Sequence, residues 1–291
     1  MIKPESTFMG FDKSYHVAEI AYFGAPFDGT ASFRKGSVFG PAAIRNDSYG
    51  LETFSPYQNL DLETDTSVID LGDLIFDVET PTAVLADIRA FVQQITLDDK
   101  RPLMVGGEHL ITLPVVEILL EKHPDLMIVH LDAHADLRSD YEGERLSHAT
   151  VMRRIHDSLG DGRIHQFGIR SGTKEEFGFS KVHCNTTNFS LEGMNLLHEK
   201  IGEKPVYVTI DLDVLDPSVF PGTGTQEPGG ITFKELMAGI LSLRGLHIVG
   251  ADVVELAPNL DPSGVSTSCA CKVVREMAIL MSGKGKGEIH G

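Results

Sequence analysis

Short, continuous apolar runs punctuate this chain at residues 17–23, 67–71, 102–105, 126–131, 163–169, 206–210 and 246–254. Stretches of helical periodicity lie between them, among others at 81–94, 112–122, 232–243 and 265–281. A strand with one face in water alternates apolar and polar residues, whereas a run that is apolar throughout must be covered on both faces. Such strands, alternating with helices, predict an α/β protein with a three-layer α/β/α build and a mostly parallel central sheet. No repeat, low-complexity stretch or Pro/Ser-rich linker divides the 291 residues, so 1–291 reads as one domain, with 283–291 a frayed tail rich in glycine and lysine. In open parallel sheets ligands bind beyond the carboxyl ends of the strands, and that is where a site is expected.

The run at 126–131 passes directly into Asp132-Ala133-His134-Ala135-Asp136. On an extended chain residues i, i+2 and i+4 share a side, so two carboxylates and an imidazole would converge. Burying three such groups is costly unless they are paired or hold a metal. The run at 206–210 ends likewise in Asp211-Leu212-Asp213. The run at 102–105 ends in Gly106-Gly107-Glu108-His109, where paired glycines let the backbone approach a crowded site and His109 follows where a side chain can enter it. One such cluster alone could equally be a structural metal site or a set of capping aspartates. Three at one edge of one sheet suggest a common ligand set of His109, Asp132, His134, Asp136, Asp211 and Asp213. Two imidazoles and four carboxylates exceed what one tetrahedral zinc uses, so two ions are the natural count. A carboxylate-rich set with a minority of imidazoles suits Mn²⁺ better than zinc or calcium. Two such ions can lower the pKa of a water toward ~7, which is hydrolase equipment.

The charge balance narrows the partners. With 25 Lys and Arg against 42 Asp and Glu, the net charge of −17 disfavours nucleic acid and anionic membrane surfaces and favours small cationic ligands. No apolar run is long enough to span a membrane, and Met1-Ile2-Lys3-Pro4-Glu5 lacks the layout of a secretion signal. Cys184, Cys269 and Cys271 are too few and too unevenly placed for a disulfide framework, which suits a cytoplasmic protein. Cys269 and Cys271, two apart in a helical stretch, do not face each other and read as packing residues.

Gly106-Gly107-Glu108-His109, the segment 132–136, Ser147-His148-Ala149-Thr150, the segment 211–217 and the segment 252–258 together resemble the ureohydrolases, the arginase and agmatinase family. The likeness runs from Gly24 to Glu255. In Pro221-Gly222-Thr223-Gly224-Thr225 and Gly40-Pro41-Ala42-Ala43-Ile44-Arg45 it is nearest the bacterial agmatinase branch. The resemblance implies a three-layer α/β/α fold assembling as a homotrimer or homohexamer, with two Mn²⁺ per subunit. It also implies that Asp132 and Asp211 bridge the ions, that His109 and Asp136 complete one, and that His134 and Asp213 complete the other. Asp136, His148 and Glu255 become the catalytic candidates, with His148 and Glu255 also binding substrate. Ala135 and Ala149 depart from the more usual Thr and Gly, and neither change removes a ligand.

A guanidinium is resonance-stabilised and cationic, so its hydrolysis needs an activated water, an acidic cradle and a proton donor for the departing amine. Glu255 can receive guanidinium N–H groups in a charge-assisted fork, although from its own residues it could be a solvated strand-end acid. His148 has the pKa range to move protons, although on its own it could be a capping histidine. His123, His156, His165 and His247 have no comparable context and read as exposed or structural. The expected activity is hydrolysis of agmatine to putrescine and urea, in keeping with polyamine biosynthesis. The alternatives are a 4-guanidinobutyrate hydrolase, an arginase, or a non-catalytic metal-binding relative. The loop 137–146 holds three acids against Arg138 and Arg145; the acids suit an ammonium tail, whereas either arginine could hold a carboxylate.

Overall fold

The computed structural model describes residues 7–283; the extreme amino terminus and the lysine–glycine tail lie outside the described residues. Eight parallel strands form the central sheet: β1 (Ile20–Ala25), β2 (Val68–Asp73), β3 (Arg101–Gly106), β4 (Met127–Leu131), β5 (Ile164–Ile169), β6 (Asn185–Asn188), β7 (Pro205–Asp211) and β8 (His247–Val254). Their spatial order is β2-β1-β3-β8-β7-β4-β5-β6, and every neighbouring pair is parallel. The longer helices are α1 (Gly40–Ser48), α2 (Pro81–Leu97), α3 (Thr112–Lys122), α4 (Val151–Leu159), α5 (Lys174–His183), α6 (Phe233–Ser242) and α7 (Val265–Ser282).

The continuous apolar strands have the cause inferred from their sequence. Along β4, Met127, Val129 and Leu131 join one buried apolar cluster and Ile128 the other; along β7, Val206, Val208 and Ile210 face the first and Tyr207 the second. The first cluster also contains α6 and α7 side chains such as Leu236, Val273 and Met277, and the second contains Ile88, Val116 and Ile155 from α2, α3 and α4. Two apolar layers thus enclose the sheet, the three-layer arrangement expected. Cys271 lies buried in α7 and Cys269 half-buried, both as free thiols in packing positions.

A buried ion pair ties α1 to β2. Arg45 Nε lies 2.8 Å from Asp70 Oδ2 and Nη2 lies 3.1 Å from Oδ1, with Asp73 as a further partner. Asp70 also accepts the Phe8 N–H at 2.8 Å and the Gly72 N–H at 2.9 Å, so its charge is fully engaged away from water. Removing one member of such a pair strands the other. Arg45→Met should therefore cost about 3–5 kcal/mol, on the order of 10 °C in the unfolding midpoint. Thermal unfolding by circular dichroism measures it, and a shift under about 3 °C would mean the pair is dispensable.

Register decides where the polar ends fall. Val105 pairs with Val253, Asp211 with Val254, and Leu131 with Ile210, so the four central strands β3, β8, β7 and β4 finish at one level. The residues immediately beyond them share one edge.

Candidate metal centre

Each expected ligand leaves one of these four strand ends. His109 follows β3 after Gly107, where the position a Cβ would take lies 1.8 Å from the Phe27 carbonyl oxygen, so only glycine permits that close approach. Asp132, His134 and Asp136 follow β4, Asp211 closes β7, and Asp213 lies in the 3-10 turn Leu212–Val214 just beyond it. The first of these segments departs from the extended geometry expected of it. β4 ends at Leu131, the next residues are stitched to the segment after β5 by Ala135 N–H donating to Ser171 O (3.0 Å) and Arg170 N–H to Ala133 O (2.8 Å), and Asp136 turns back at φ 54°. A non-glycine residue in the left-handed region persists only where its surroundings hold it, and such positions cluster at functional sites.

The side chains meet. His109 Nδ1 lies 3.1 Å from Asp132 Oδ2, 3.3 Å from Asp136 Oδ2 and 3.3 Å from Asp211 Oδ2. His134 Nδ1 lies 2.9 Å from Asp213 Oδ2 and 3.5 Å from Asp132 Oδ1. Asp132 thus presents one oxygen to each histidine, and the six residues form two adjoining groups that share it. Asp211 joins the second group through its neighbour, accepting the Asp213 N–H at 2.9 Å, while Asp213 accepts the Ala133 N–H at 3.0 Å.

The tautomer of His109 tests whether a cation fits. Asp252, fully buried on β8, receives three hydroxyls: Tyr207 at 2.6 Å, Thr112 at 2.8 Å and Thr209 at 2.6 Å. Thr209 has then given its proton away, so the 2.9 Å contact with His109 Nε2 must be an N–H donated by the imidazole. Nδ1, buried and without a hydrogen-bond partner, then faces three carboxylate oxygens. Such an arrangement requires positive charge at its centre. The titration behaviour points the same way. Burial pushes His109 down, but Asp132, Asp136 and Asp211 outweigh it and hold the imidazole well above its usual range. Burial, Asp213 and Asp132 raise Asp211 well above the carboxylate range. Nitrogen and carboxylate donors in this proportion fit divalent cations.

His130 belongs to the site and was missed from the sequence. It is fully buried on β4, with Nε2 2.8 Å from Asp132 Oδ2 and Nδ1 3.0 Å from Gln166 Nε2. The Gln166 amide also donates to Ala135 O (2.9 Å), so it faces His130 as a donor, and the histidine in turn donates to Asp132. Its role is to orient that carboxylate. The signal was present: His130 and Asp132 are two apart at a strand end, on the same side.

Glu255 and His148 line the same cleft of about 310 Å³ as His109, His134, Asp136, Asp211 and Asp213. Glu255 sits beyond β8 at φ 66°, its N–H donating to Gly107 O at 2.9 Å and its Oε1 accepting the His109 N–H at 2.9 Å. Burial, Glu108 and Asp213 raise it well above the usual glutamate range. Glu108, itself pushed up to about 7 by burial, accepts the Thr30 hydroxyl, which in turn accepts the His148 N–H at 3.0 Å. This chain fixes the His148 loop. Burial pulls the His148 imidazole below its usual value, and its Nε2 lies 3.3 Å from Ser32 Oγ.

Two expectations about the remaining polar residues are revised. Within 137–146, Arg138 and Tyr141 line the cleft, but Glu142, Glu144 and Arg145 line a neighbouring depression, and Arg145 pairs with Asp157 at 3.5 Å. His156 is not without context: its Nε2 lies 2.9 Å from Asp161 Oδ1, which also meets His183 Nδ1 at 2.7 Å. Asp161 precedes β5 and His183 ends α5, which places this group at the opposite, amino edge of the sheet.

A family model, the Arginase family, matches residues 18–280. An agmatinase of Bacillus cereus is 45% identical over 270 residues, covering 91% of this chain and 93% of its own. A guanidinobutyrase of Pseudomonas aeruginosa is 33% identical over 277 residues, covering 91% and 87%. A crystal structure of a Clostridium difficile protein is similar with a TM-score of 0.90 and 45% identity, over 93% of this chain and 99% of that one.

Proposed function

The chain belongs to the arginase family, and from that premise we propose that it hydrolyses agmatine to putrescine and urea, cutting a guanidino C–N bond, with two Mn²⁺ per subunit. The observation that carries this reading is one cleft lined by His109, His134, Asp136, Asp211 and Asp213 together with Glu255 and His148, with Asp132 buried between the two histidines. His109, Asp132, Asp136 and Asp211 would hold one ion, and His134 and Asp213, sharing Asp132 and Asp211, the other. When bound, these ions supply Lewis acidity that makes water a nucleophile at neutral pH.

The remaining steps belong to the protein. Glu255 receives N–H groups of the guanidinium and fixes its plane, a charge-assisted contact in a partly desolvated wall. Asp136 accepts a hydrogen bond from the attacking water and orients it. His130, by holding Asp132, and Thr209, by holding His109, keep the donor atoms aimed inward. His148, fixed through Thr30 and lowered by burial, is uncharged near neutral pH and so can take a proton from solvent or nucleophile and give it to the departing amine.

The rival substrate is 4-guanidinobutyrate, whose carboxylate would need a free cation. Arg145 is outside the cleft, and Arg138 is turned to Glu176 (3.6 Å) and stacked on Tyr141 (5.1 Å to the ring centroid). That engagement favours agmatine. We also read the protein as a cytoplasmic homotrimer or homohexamer serving polyamine biosynthesis; among the described residues no helix is long and apolar enough to cross a membrane. Urea release from agmatine, arginine and 4-guanidinobutyrate under identical Mn²⁺ loading tests the reading. Agmatine should give the highest kcat/KM, and a preference for either other compound would overturn the substrate assignment.

A further inference from the structure

The cleft carries more acid than the metal centre and the guanidinium contact use. Asp136, Asp211 and Asp213 face the two histidines, and Glu255 holds the His109 N–H. Glu176 is committed to local structure: its Oε1 accepts the Leu137 N–H at 3.0 Å and its Oε2 the Thr173 N–H at 2.7 Å, closing the cap of α5. Glu227 differs from all of these. It lines the same cleft and is half-buried, yet among the described residues its carboxylate has no hydrogen-bond or ion-pair partner.

Its backbone, by contrast, is firmly placed. The Glu227 carbonyl accepts from Arg170 Nε at 3.0 Å and Nη2 at 2.8 Å, and the following Gly229 and Gly230 N–H groups donate to Asp216 Oδ2 at 2.8 and 3.0 Å. Arg170 also binds the Asp213 carbonyl at 2.7 Å, so the loop bearing Glu227 is anchored to the segment that bears an expected metal ligand. The carboxylate thus stands on a fixed loop, in a wall already rich in negative charge, and no side chain among the described residues pairs with it. The free energy gained by bringing a cation there is correspondingly available to a ligand. The same wall offers an anion nothing comparable: among the described residues no lysine lines the cleft, and Arg138 is engaged by Glu176 and Tyr141.

We propose that Glu227 is the specificity-determining residue that receives the distal ammonium of a guanidino-amine substrate, directly or through one water. The inference rests on the guanidino-hydrolase reading and names what on this chain separates an amine tail from an acid tail. It replaces the acids of the loop 137–146, whose Glu142 and Glu144 lie outside the cleft.

The test compares Mn²⁺-loaded wild-type enzyme with Glu227→Gln on agmatine, on 4-guanidinobutyrate and on butylguanidine, which keeps the guanidinium and lacks the ammonium. For a partly exposed charge-assisted contact, kcat/KM for agmatine should fall about tenfold relative to butylguanidine, mainly through KM, and the ratio of 4-guanidinobutyrate to agmatine activity should rise. Metal content and butylguanidine turnover report whether the variant is intact. Equal losses on agmatine and butylguanidine, or no loss on agmatine, would overturn the assignment of Glu227 while leaving the substrate reading in place. Wild-type preference for 4-guanidinobutyrate over agmatine would overturn both.

Discussion

Asp132→Ala should leave the protein unable to hold either divalent ion and reduce kcat/KM by at least ~10³-fold, several kcal/mol of transition-state stabilisation. The reasoning is geometric. Asp132 presents Oδ2 toward His109 and Oδ1 toward His134, so its loss opens both halves of the donor set at once. It also strands His130, which would lose the acceptor 2.8 Å from its buried Nε2. His109→Ala removes a donor that faces only one half, and should lower metal content from two ions per subunit toward one. Metal analysis of the purified variants separates the cases, and Asp132→Asn, which keeps the shape, guards against a folding defect. Full activity in metal-stripped wild-type enzyme would refute the two-ion mechanism altogether.

The sheet was legible in the sequence because its strands are buried on both faces, and burial writes itself as uninterrupted apolar residues. The strand that escaped notice, Asn185–Asn188, lies at the sheet edge, where Asn185 and Asn188 are exposed and nothing requires an apolar run. The clustering of the six His and Asp side chains was legible because ionisable groups directly after apolar strands are rare and costly. Their conformations were not. That Asp136 turns back at φ 54° follows from hydrogen bonds to a segment after β5, a tertiary effect with no local signature. His130 shows the opposite failure, a residue within reach of the alternation rule that was absorbed into the apolar count. The acids of the loop 137–146 and Glu227 differ in a third way. The sequence placed three acids in the loop 137–146, but the packing of Arg170 against the Glu227 carbonyl holds a different acid, from a distant loop, in the cleft wall. Likewise, the pairing of His156 with His183 through Asp161 joins residues from two helix ends and a turn, and no spacing announces it.

Glu255→Gln should lower kcat/KM for every guanidino substrate by about 10- to 150-fold, the equivalent of the roughly 1.5–3 kcal/mol carried by a hydrogen bond to a charged group. The substitution is well posed because the backbone does not depend on the charge. The residue's φ of 66° and its N–H bond to Gly107 O stay available to glutamine, and Gln Oε1 can still accept the His109 N–H. The other end of the side chain changes. In the native protein, among the described residues, nothing binds the second carboxylate oxygen, and burial with Glu108 and Asp213 nearby drives the group toward protonation unless a cation arrives. A guanidinium supplies both the charge and the N–H donors that a buried carboxylate needs. Glutamine offers an NH₂ donor there instead, which meets the donors of a guanidinium and cannot bind them. Both ions should remain bound, because Glu255 is outside the ligand set. The loss should also be the same for agmatine and butylguanidine, unlike the selective effect expected at Glu227. Steady-state kinetics on both substrates, with metal content measured on the same preparations, decide it; unchanged kinetics in Glu255→Gln would mean that this residue does not touch the substrate.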